Sequence, residues 1–305
     1  MRPKPLPKHA AAPPATIYVQ IPAYRDTELG ATLADLYRKA ERPEALRVAV
    51  MWQRGDDERL SDAVRRLPNL ELIEIPFRQS RGCNWARLNL QRRWRGEPFT
   101  LFLDSHHRFV RGWDRILLDM HEGLIERGVE RPLITGYLPS YDPLAHAAER
   151  RRSPYRIYPA RRESGLLVHL TSYAIPGWRR LEGPVPADFA SAHFIFARGE
   201  FNEDLRWDPR IYFAGDEVAM SLRAHTHGYD LFHPNVVIGW HCYDRRSRVP
   251  HWDDHAGWSA QQRASLERLR RLFSGRLRGR YGLGRSRTRQ SYEDRLLVPL
   301  IERAG

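Results

Sequence analysis

The stretch Phe99-Thr-Leu-Phe-Leu-Asp104-Ser105-His106-His107-Arg108-Phe109-Val110 decides how this chain is read. A short, mostly apolar run of strand length ends abruptly in an acid, a small residue and an imidazole. A chain leaving a buried strand at Asp104 and His106 carries two metal-ligating groups to the strand's carboxyl end, where open α/β sheets bind their ligands. A carboxylate and an imidazole two residues apart suit a divalent ion that also holds phosphate oxygens. The expected chemistry therefore concerns a phosphorylated ligand, with a nucleotide the first choice. The competing reading makes Asp104 the cap of a following helix and leaves His106 to pack in the interior.

Upstream of this stretch the patterning alternates. Ala15–Ala23 reads as a strand stopped by Pro22, and Thr27–Lys39 has apolar residues at helical spacing (Leu29, Leu33, Leu36, Tyr37). Arg47–Trp52 and Asn69–Ile75 read as two more strands, and residues 83–94 as a helix leading into the strand before Asp104. Strand–helix alternation of this kind implies a mostly parallel, Rossmann-like sheet flanked by helices, an α/β class. Neither a Gly-x-Gly-x-x-Gly turn nor a phosphate loop ending in Gly-Lys-Ser/Thr is present, which disfavours a dinucleotide dehydrogenase or a P-loop enzyme.

Downstream, Trp113–Arg127 reads as a helix and Arg131–Tyr137 as a strand. From Leu138 to Pro186 no period is evident, so a long connection or small insertion is expected there, a common place for substrate-binding loops. Ala192–Ala197 regains strand character, Asp216–His227 is helix-like, and Val236–Trp240 reads as a late strand running into His241. Ser259–Phe273 is a basic amphipathic helix followed by Gly- and Arg-rich sequence. The expected division is a leader over 1–14, a main domain over 15–257 and an Arg-rich extension over 258–305 packing on that domain.

Composition bounds the partners. The 305 residues are 42% hydrophobic and include 9 Trp, 13 Tyr and 11 Phe, enough for a packed core. A net charge of +13, mostly from arginine, favours an anionic partner: a sugar nucleotide, an acidic polymer, a membrane face or a nucleic acid. Two cysteines, Cys83 and Cys242, exclude a disulfide framework or a cysteine-based zinc set. The N-terminal residues hold no apolar signal core and no run is long enough to span a bilayer, so a cytoplasmic protein is expected.

His241, which directly follows an apolar run, is the natural third metal ligand, although a lone histidine is more often a core residue. A carboxylate and two imidazoles leave coordination positions open for diphosphate oxygens. Gly215-Asp216-Glu217 places adjacent carboxylates at a helix start, either as dipole-stabilised residues or as acceptors of a sugar hydroxyl. Arg223, on the same helix, is expected to orient one of them. Trp113 and Tyr243 are candidate walls of the site.

Many ordered matches carry a resemblance to a known family: Ile21-Pro-Ala-Tyr24-Arg25-Asp26, Arg81-Gly-Cys83-Asn-Trp85-Ala-Arg87, Gly96-Glu97, Leu103-Asp104-Ser105-His106 and Gly112-Trp113-Asp114. Ala190-Ser191-Ala192-His193-Phe194, Phe213-Ala-Gly215-Asp216-Glu217, Arg223 through Asp230, His241-Cys-Tyr243-Asp-Arg245, and Tyr281-Gly-Leu-Gly284 extend it from Ile17 to Tyr292. The chain resembles the cytoplasmic UDP-GlcNAc-dependent transferases that include the Skp1-hydroxyproline GlcNAc-transferase.

That resemblance implies a GT-A glycosyltransferase fold, a UDP-sugar donor, and retaining transfer assisted by Mn²⁺ or Mg²⁺ to a hydroxyl acceptor. Its Asp-Ser-His element is similar to the Asp-x-His of mucin-type polypeptide GalNAc-transferases, whose metal site a later histidine completes. By position the metal ligands would be Asp104, His106 and His241. Tyr24, Arg25, Arg87, Asp104 and Ser105 would face the donor, and Asp216 and Glu217 would meet sugar or acceptor hydroxyls. Where the family has Gly-Glu-Glu this chain has Gly215-Asp216-Glu217. The Skp1 acceptor is not carried over, because residues 138–186 match poorly; a protein, a glycan and a lipid-linked precursor stay open. The alternatives from residue chemistry are a nucleotidyl- or phosphoryl-transferase and, further off, a nucleic-acid-binding protein. No nucleic-acid partner is expected, and the basic tail offers a contact for anionic lipid.

Overall fold

The computed structural model describes residues 17–246 and 248–302, so the expected leader over 1–14 lies outside the described residues. β1 (Ile17–Tyr24), β2 (Leu46–Arg54), β3 (Leu70–Pro76) and β4 (Phe99–Leu103) alternate with α1 (Leu29–Lys39), the one-turn α2 (Asp62–Arg65) and α3 (Cys83–Gln91). Next come β5 (His107–Phe109), α4 (Trp113–Glu126), β6 (Pro132–Thr135) and a hairpin of β7 (Tyr155–Glu163) and β8 (Leu166–Ala174). The chain continues through β9 (Val185–Pro186), β10 (Phe194–Arg198), α5 (Phe201–Asp204), α6 (Asp216–Thr226), β11 (Asp230–His233) and β12 (Gly239–His241). The helices α7 (His251–Asp254), α8 (Trp258–Phe273) and α9 (Arg289–Leu296) follow.

Eight strands form one sheet in the order β3-β2-β1-β4-β10-β6-β11-β9. The first four run parallel, β10 is antiparallel to both β4 and β6, and β6 pairs β11 in parallel. Alternate residues of the strands enter two cores. Val19, Val48, Leu101 and Phe196 meet Leu33 and Leu36 of α1 and Leu117 of α4 on one face. Tyr18, Ala49 and Met51 meet Ala86 and Leu90 of α3 on the other. Each such large side chain contributes roughly 1.5–3 kcal/mol by leaving water, which is why near-continuous apolar runs settle as doubly covered strands.

Several expectations need correction. β1 is not stopped by Pro22; it continues to Tyr24. Arg25 N–H donates to Gln53 O, so by the two-residue alternation the Pro22 nitrogen faces the β4 side, where the ladder has already ended at Gln20–Phe102. Of the two expectations for residues 138–186, the structure shows the small insertion, the β7–β8 hairpin. Its turn is Ser164-Gly165, both at positive φ (50° and 74°), as a tight hairpin turn demands. Val236–Trp240 is not a strand of the main sheet: only Gly239–His241 is extended, and it pairs with β5. β11 was not anticipated. Trp113 lies in the core at 0% exposure, donating to Leu36 O, and so forms no wall of the site.

The hairpin and the tail build a separate core. Ile157, Leu166 and Val168 pack with Val218 and Leu222 of α6 and with Leu266, Leu269 and Phe273 of α8. Ion pairs Arg268–Asp208, Arg287–Asp230 and Arg295–Asp188 bind tail arginines to acids of the body, so part of the basic charge acts as docking contact. No helix among the described residues is long and apolar enough to cross a membrane.

Candidate functional site

β1, β4 and β6 all end on the same rim of the sheet, and antiparallel β10 begins there, since Phe194 pairs with Leu103. That rim opens a cavity of about 480 Å³, within the range of small-molecule sites. Asp104, Ser105 and His106 follow β4 into it, His193 precedes β10, and Tyr137 follows β6. His241 arrives from β12, whose ladder with β5 puts it directly across from His107. Asp216 and Glu217 open α6 behind Gly215, which sits at φ 87°. A Cβ at Gly215 would lie 2.5 Å from Leu269 and 2.9 Å from Val168, so only glycine admits this close approach of α8 and β8.

Asp104, His106 and His241 come together. Asp104 Oδ2 is 3.5 Å from His241 Nε2 and 3.8 Å from His106 Nε2, and the two rings are 4.6 Å apart. Asp104 caps no helix, because the next element is β5; instead its carbonyl accepts His107 Nδ1–H at 3.0 Å. Burial alone would raise the Asp104 carboxyl, but His241, Arg87 and His106 hold it well below the usual carboxylate range. Burial, reinforced by His106, pushes His241 well down, leaving a neutral imidazole. Both ring nitrogens of His241 are buried without a hydrogen-bond partner. An anionic carboxylate beside the unpartnered His241 ring and the Nε2 of His106 is a donor set that suits a divalent ion, so these residues fit one.

The other expected site residues divide. Arg87, on α3, is buried between two acids: Nη1 is 3.0 Å from Asp216 Oδ2 and Nη2 3.4 Å from Asp104 Oδ1. Its guanidinium is the internal counter-ion of the carboxylates. Arg25 points to Asp254 of α7 at 2.7 Å and stacks over Phe77, so the structure does not bring it to Asp104, His106 and His241. Tyr24 lines the cavity and donates to Asp254 Oδ2 at 2.7 Å, while Ser105 donates to Asp26 Oδ2 at 2.6 Å. Glu217 accepts from Tyr137 OH and, at 2.8 Å, from Ala192 N–H. Burial and the charge of Asp216 push Glu217 up to about 8. Asp216 is also raised, by burial, against the opposing pull of Arg87.

Arg223 does not orient either acid. It donates to the carbonyls of Arg206, Arg280 and Gly282, two helical turns from the α6 start, and so anchors the tail. Tyr243 does line the cavity, with its ring on His241 at 4.3 Å and its hydroxyl donating to Leu138 O.

Sequence reasoning assigned no role to Asp26, His107, His193, Tyr137, Arg245 or Arg248. Asp26 Oδ2 accepts His106 Nδ1–H at 2.7 Å; His107, His193 and His241 form a buried trio with ring nitrogens within 4.8 Å. Arg245 and Arg248, from the segment after His241, also line the cavity. The available signal was membership of the matching stretches for Asp26, His193 and Arg245, and adjacency to such stretches for His107.

A family model described as Glycosyltransferase (GlcNAc) matches residues 16–68 and 60–299. No curated protein matches the chain. Among solved structures, GalNAc-T7 with UDP, GalNAc and Mn²⁺ is similar at TM-score 0.58 and 13% identity, covering 93% of this chain and 55% of that one. S. aureus TarS 1-349 in complex with UDP-GlcNAc superposes at TM-score 0.49 and 14% identity, covering 85% of this chain and 73% of that one. The first of these likenesses is one of fold: a mostly parallel sheet flanked by helices, of GT-A type.

Proposed function

Since the chain belongs to the glycosyltransferase family matched over residues 16–68 and 60–299, we propose that it moves N-acetylglucosamine, or a close relative, from UDP to a hydroxyl acceptor, retaining the anomeric configuration. Asp104, His106 and His241 would hold Mn²⁺ or Mg²⁺. The single observation carrying this reading is a His241 ring buried without hydrogen-bond partners, its Nε2 3.5 Å from Asp104 and its ring 4.6 Å from that of His106. The similar GalNAc-T7 structure holds UDP, GalNAc and Mn²⁺. When bound, the ion supplies Lewis-acid neutralisation of charge on the diphosphate.

The protein's own groups do the remaining work. Arg87 favours the charged form of Asp104 and opposes the rise that burial gives Asp216, and it fixes both, because a buried guanidinium cannot give up its proton. Arg245 and Arg248 bring positive charge to the cavity wall, where paired N–H bonds suit phosphate oxygens. Glu217, held by Tyr137 and the Ala192 amide, and Asp216 present carboxyl oxygens to sugar or acceptor hydroxyls. Tyr137 and Tyr243 narrow the cavity and exclude water. In a front-face transfer the acceptor oxygen bonds to the anomeric carbon as its bond to phosphate breaks. The acceptor's proton passes to the leaving phosphate oxygen, so no protein base is required.

The test is UDP release from a panel of UDP-sugars with Mn²⁺, with chelator and without, followed by a screen of protein, glycan and lipid-linked hydroxyls. Release with UDP-GlcNAc that chelation removes and Mn²⁺ restores is expected. Absence of release or hydrolysis with every donor sinks the proposal. The family match sets aside the nucleotidyl-transfer and nucleic-acid readings.

A further inference from the structure

His107 and His241 form a direct cross-strand pair in the β5–β12 ladder. Cys242 N–H donates to His106 O and Val110 N–H to Ile238 O, so the flanking pair at 106 and 242 is hydrogen-bonded. The 107–241 pair is then the intervening, non-hydrogen-bonded kind, whose side chains stand closest. Their rings are 4.9 Å apart at 64°. Thr32 clamps the His107 backbone, donating its hydroxyl to His107 O at 3.2 Å and accepting His107 N–H at 2.9 Å.

Protons can be assigned from the partners. A carbonyl only accepts, so His107 Nδ1, at 3.0 Å from Asp104 O, carries the proton and Nε2 presents a lone pair. That lone pair is buried and unpartnered, as are both nitrogens of His241. His241 Nε2 faces Asp104 at 3.5 Å; if it is to ligate a cation there, its one proton must sit on Nδ1. His193 is no recipient for that proton: its Nε2 already accepts Leu138 N–H at 3.3 Å, and its ring lies face-on to His241, 4.1 Å away at 23°. Tyr243 spends its hydroxyl on Leu138 O.

We propose that His107 is a positioning residue whose Nε2 accepts the Nδ1–H of His241, presenting the His241 Nε2 lone pair to a cation beside Asp104 and His106. Three buried nitrogens without partners are thereby satisfied by one hydrogen bond and one cation. One ring nitrogen of each histidine lies within 4.8 Å of the other, and the bond requires His107 Nε2 and His241 Nδ1 to close to hydrogen-bonding distance. The inference rests on the cation reading of the site.

The experiment titrates Mn²⁺ alone into wild type, His107→Phe and His107→Gln, counting free Mn²⁺ by electron paramagnetic resonance, with thermal melting as the fold control. Wild type binds; His107→Phe is expected to lose about 10- to 100-fold in affinity. His107→Gln, whose side-chain oxygen can accept the same proton, should recover most of that loss. Long-range ¹⁵N spectra of the Mg²⁺-loaded wild type should show His241 protonated at Nδ1, a readout that survives even if His107→Phe misfolds. Wild-type affinity in a folded His107→Phe overturns the role of His107 alone; a His241 protonated at Nε2 overturns it and also removes His241 from the ligand set, even where Mn²⁺ still binds. Wild type that binds no Mn²⁺ overturns the cation reading and this inference with it.

Discussion

His106 Nδ1 lies 2.7 Å from Asp26 Oδ2, the same oxygen that accepts the Ser105 hydroxyl at 2.6 Å. The second Asp26 oxygen accepts Glu28 N–H at 3.0 Å. A residue just past β1 thus fixes the ring placed by the end of β4, protonating it on Nδ1 and turning Nε2 towards Asp104. Carboxylate–imidazole pairs of this kind orient ligands in metal sites and raise their basicity.

Asp26→Asn should therefore weaken Mn²⁺ binding about 10- to 100-fold while the protein stays folded. Calorimetry with Mn²⁺ alone checks it. Unchanged affinity would leave Asp26 as a mere anchor for Ser105 and Glu28.

His106→Ala should abolish metal-dependent UDP binding without unfolding the chain, because the ring is held by Asp26 and no apolar core depends on it. Titrating UDP with and without Mn²⁺ is the measurement. An affinity equal to wild type would remove His106 from the site.

Arg87→Ala should cost about 3–5 kcal/mol of stability, the usual effect of leaving buried charges without their partner. Asp104 and Asp216 both rely on it, and Arg87 is only 5% exposed. Adding Asp216→Asn to the same chain should return part of that loss. Denaturant midpoints decide; a loss below about 1 kcal/mol would deny Arg87 its counter-ion role.

Acid should destabilise the fold through His233. Burial pushes this residue down to about 4, while Nδ1 donates to Thr135 O and Nε2 accepts Ile157 N–H. Above about 6.5 the residue is neutral in both folded and unfolded chains, so it contributes no pH dependence. As pH falls from there towards 4, the unfolded chain takes up a proton that the folded one refuses, and stability drops by up to about 1.4 kcal/mol per pH unit. His233→Gln should lower the slope of stability against pH by about one proton between pH 6 and 4.5. An identical slope in wild type and variant would show that His233 is not the titrating group.

The main sheet was legible because its strands are apolar on both faces and its helices repeat at helical spacing, patterns that burial imposes on neighbours in sequence. The β7–β8 hairpin has no clear period because β7 is filled with arginines and tyrosines, and Ser164-Gly165 marks its turn. Arg223 was misread because a shared helix does not bring groups two turns apart into contact; burial against the tail's carbonyls held it elsewhere. Arg25, expected to face the donor, pairs instead with Asp254, which lies far along the chain.

By itself the sequence determined that a strand ends at Leu103 and delivers Asp104 and His106 to the carboxyl rim of the sheet, a local fact set by where apolar residues stop. His241 reaches them from inside β12, through its pairing with β5. Tertiary structure alone decided what surrounds them: Asp26 behind His106, Arg87 between Asp104 and Asp216, His107 opposite His241. Those meetings follow from strand order and ladder register, which depend on how distant segments bury one another and leave no trace in the spacing of any one segment.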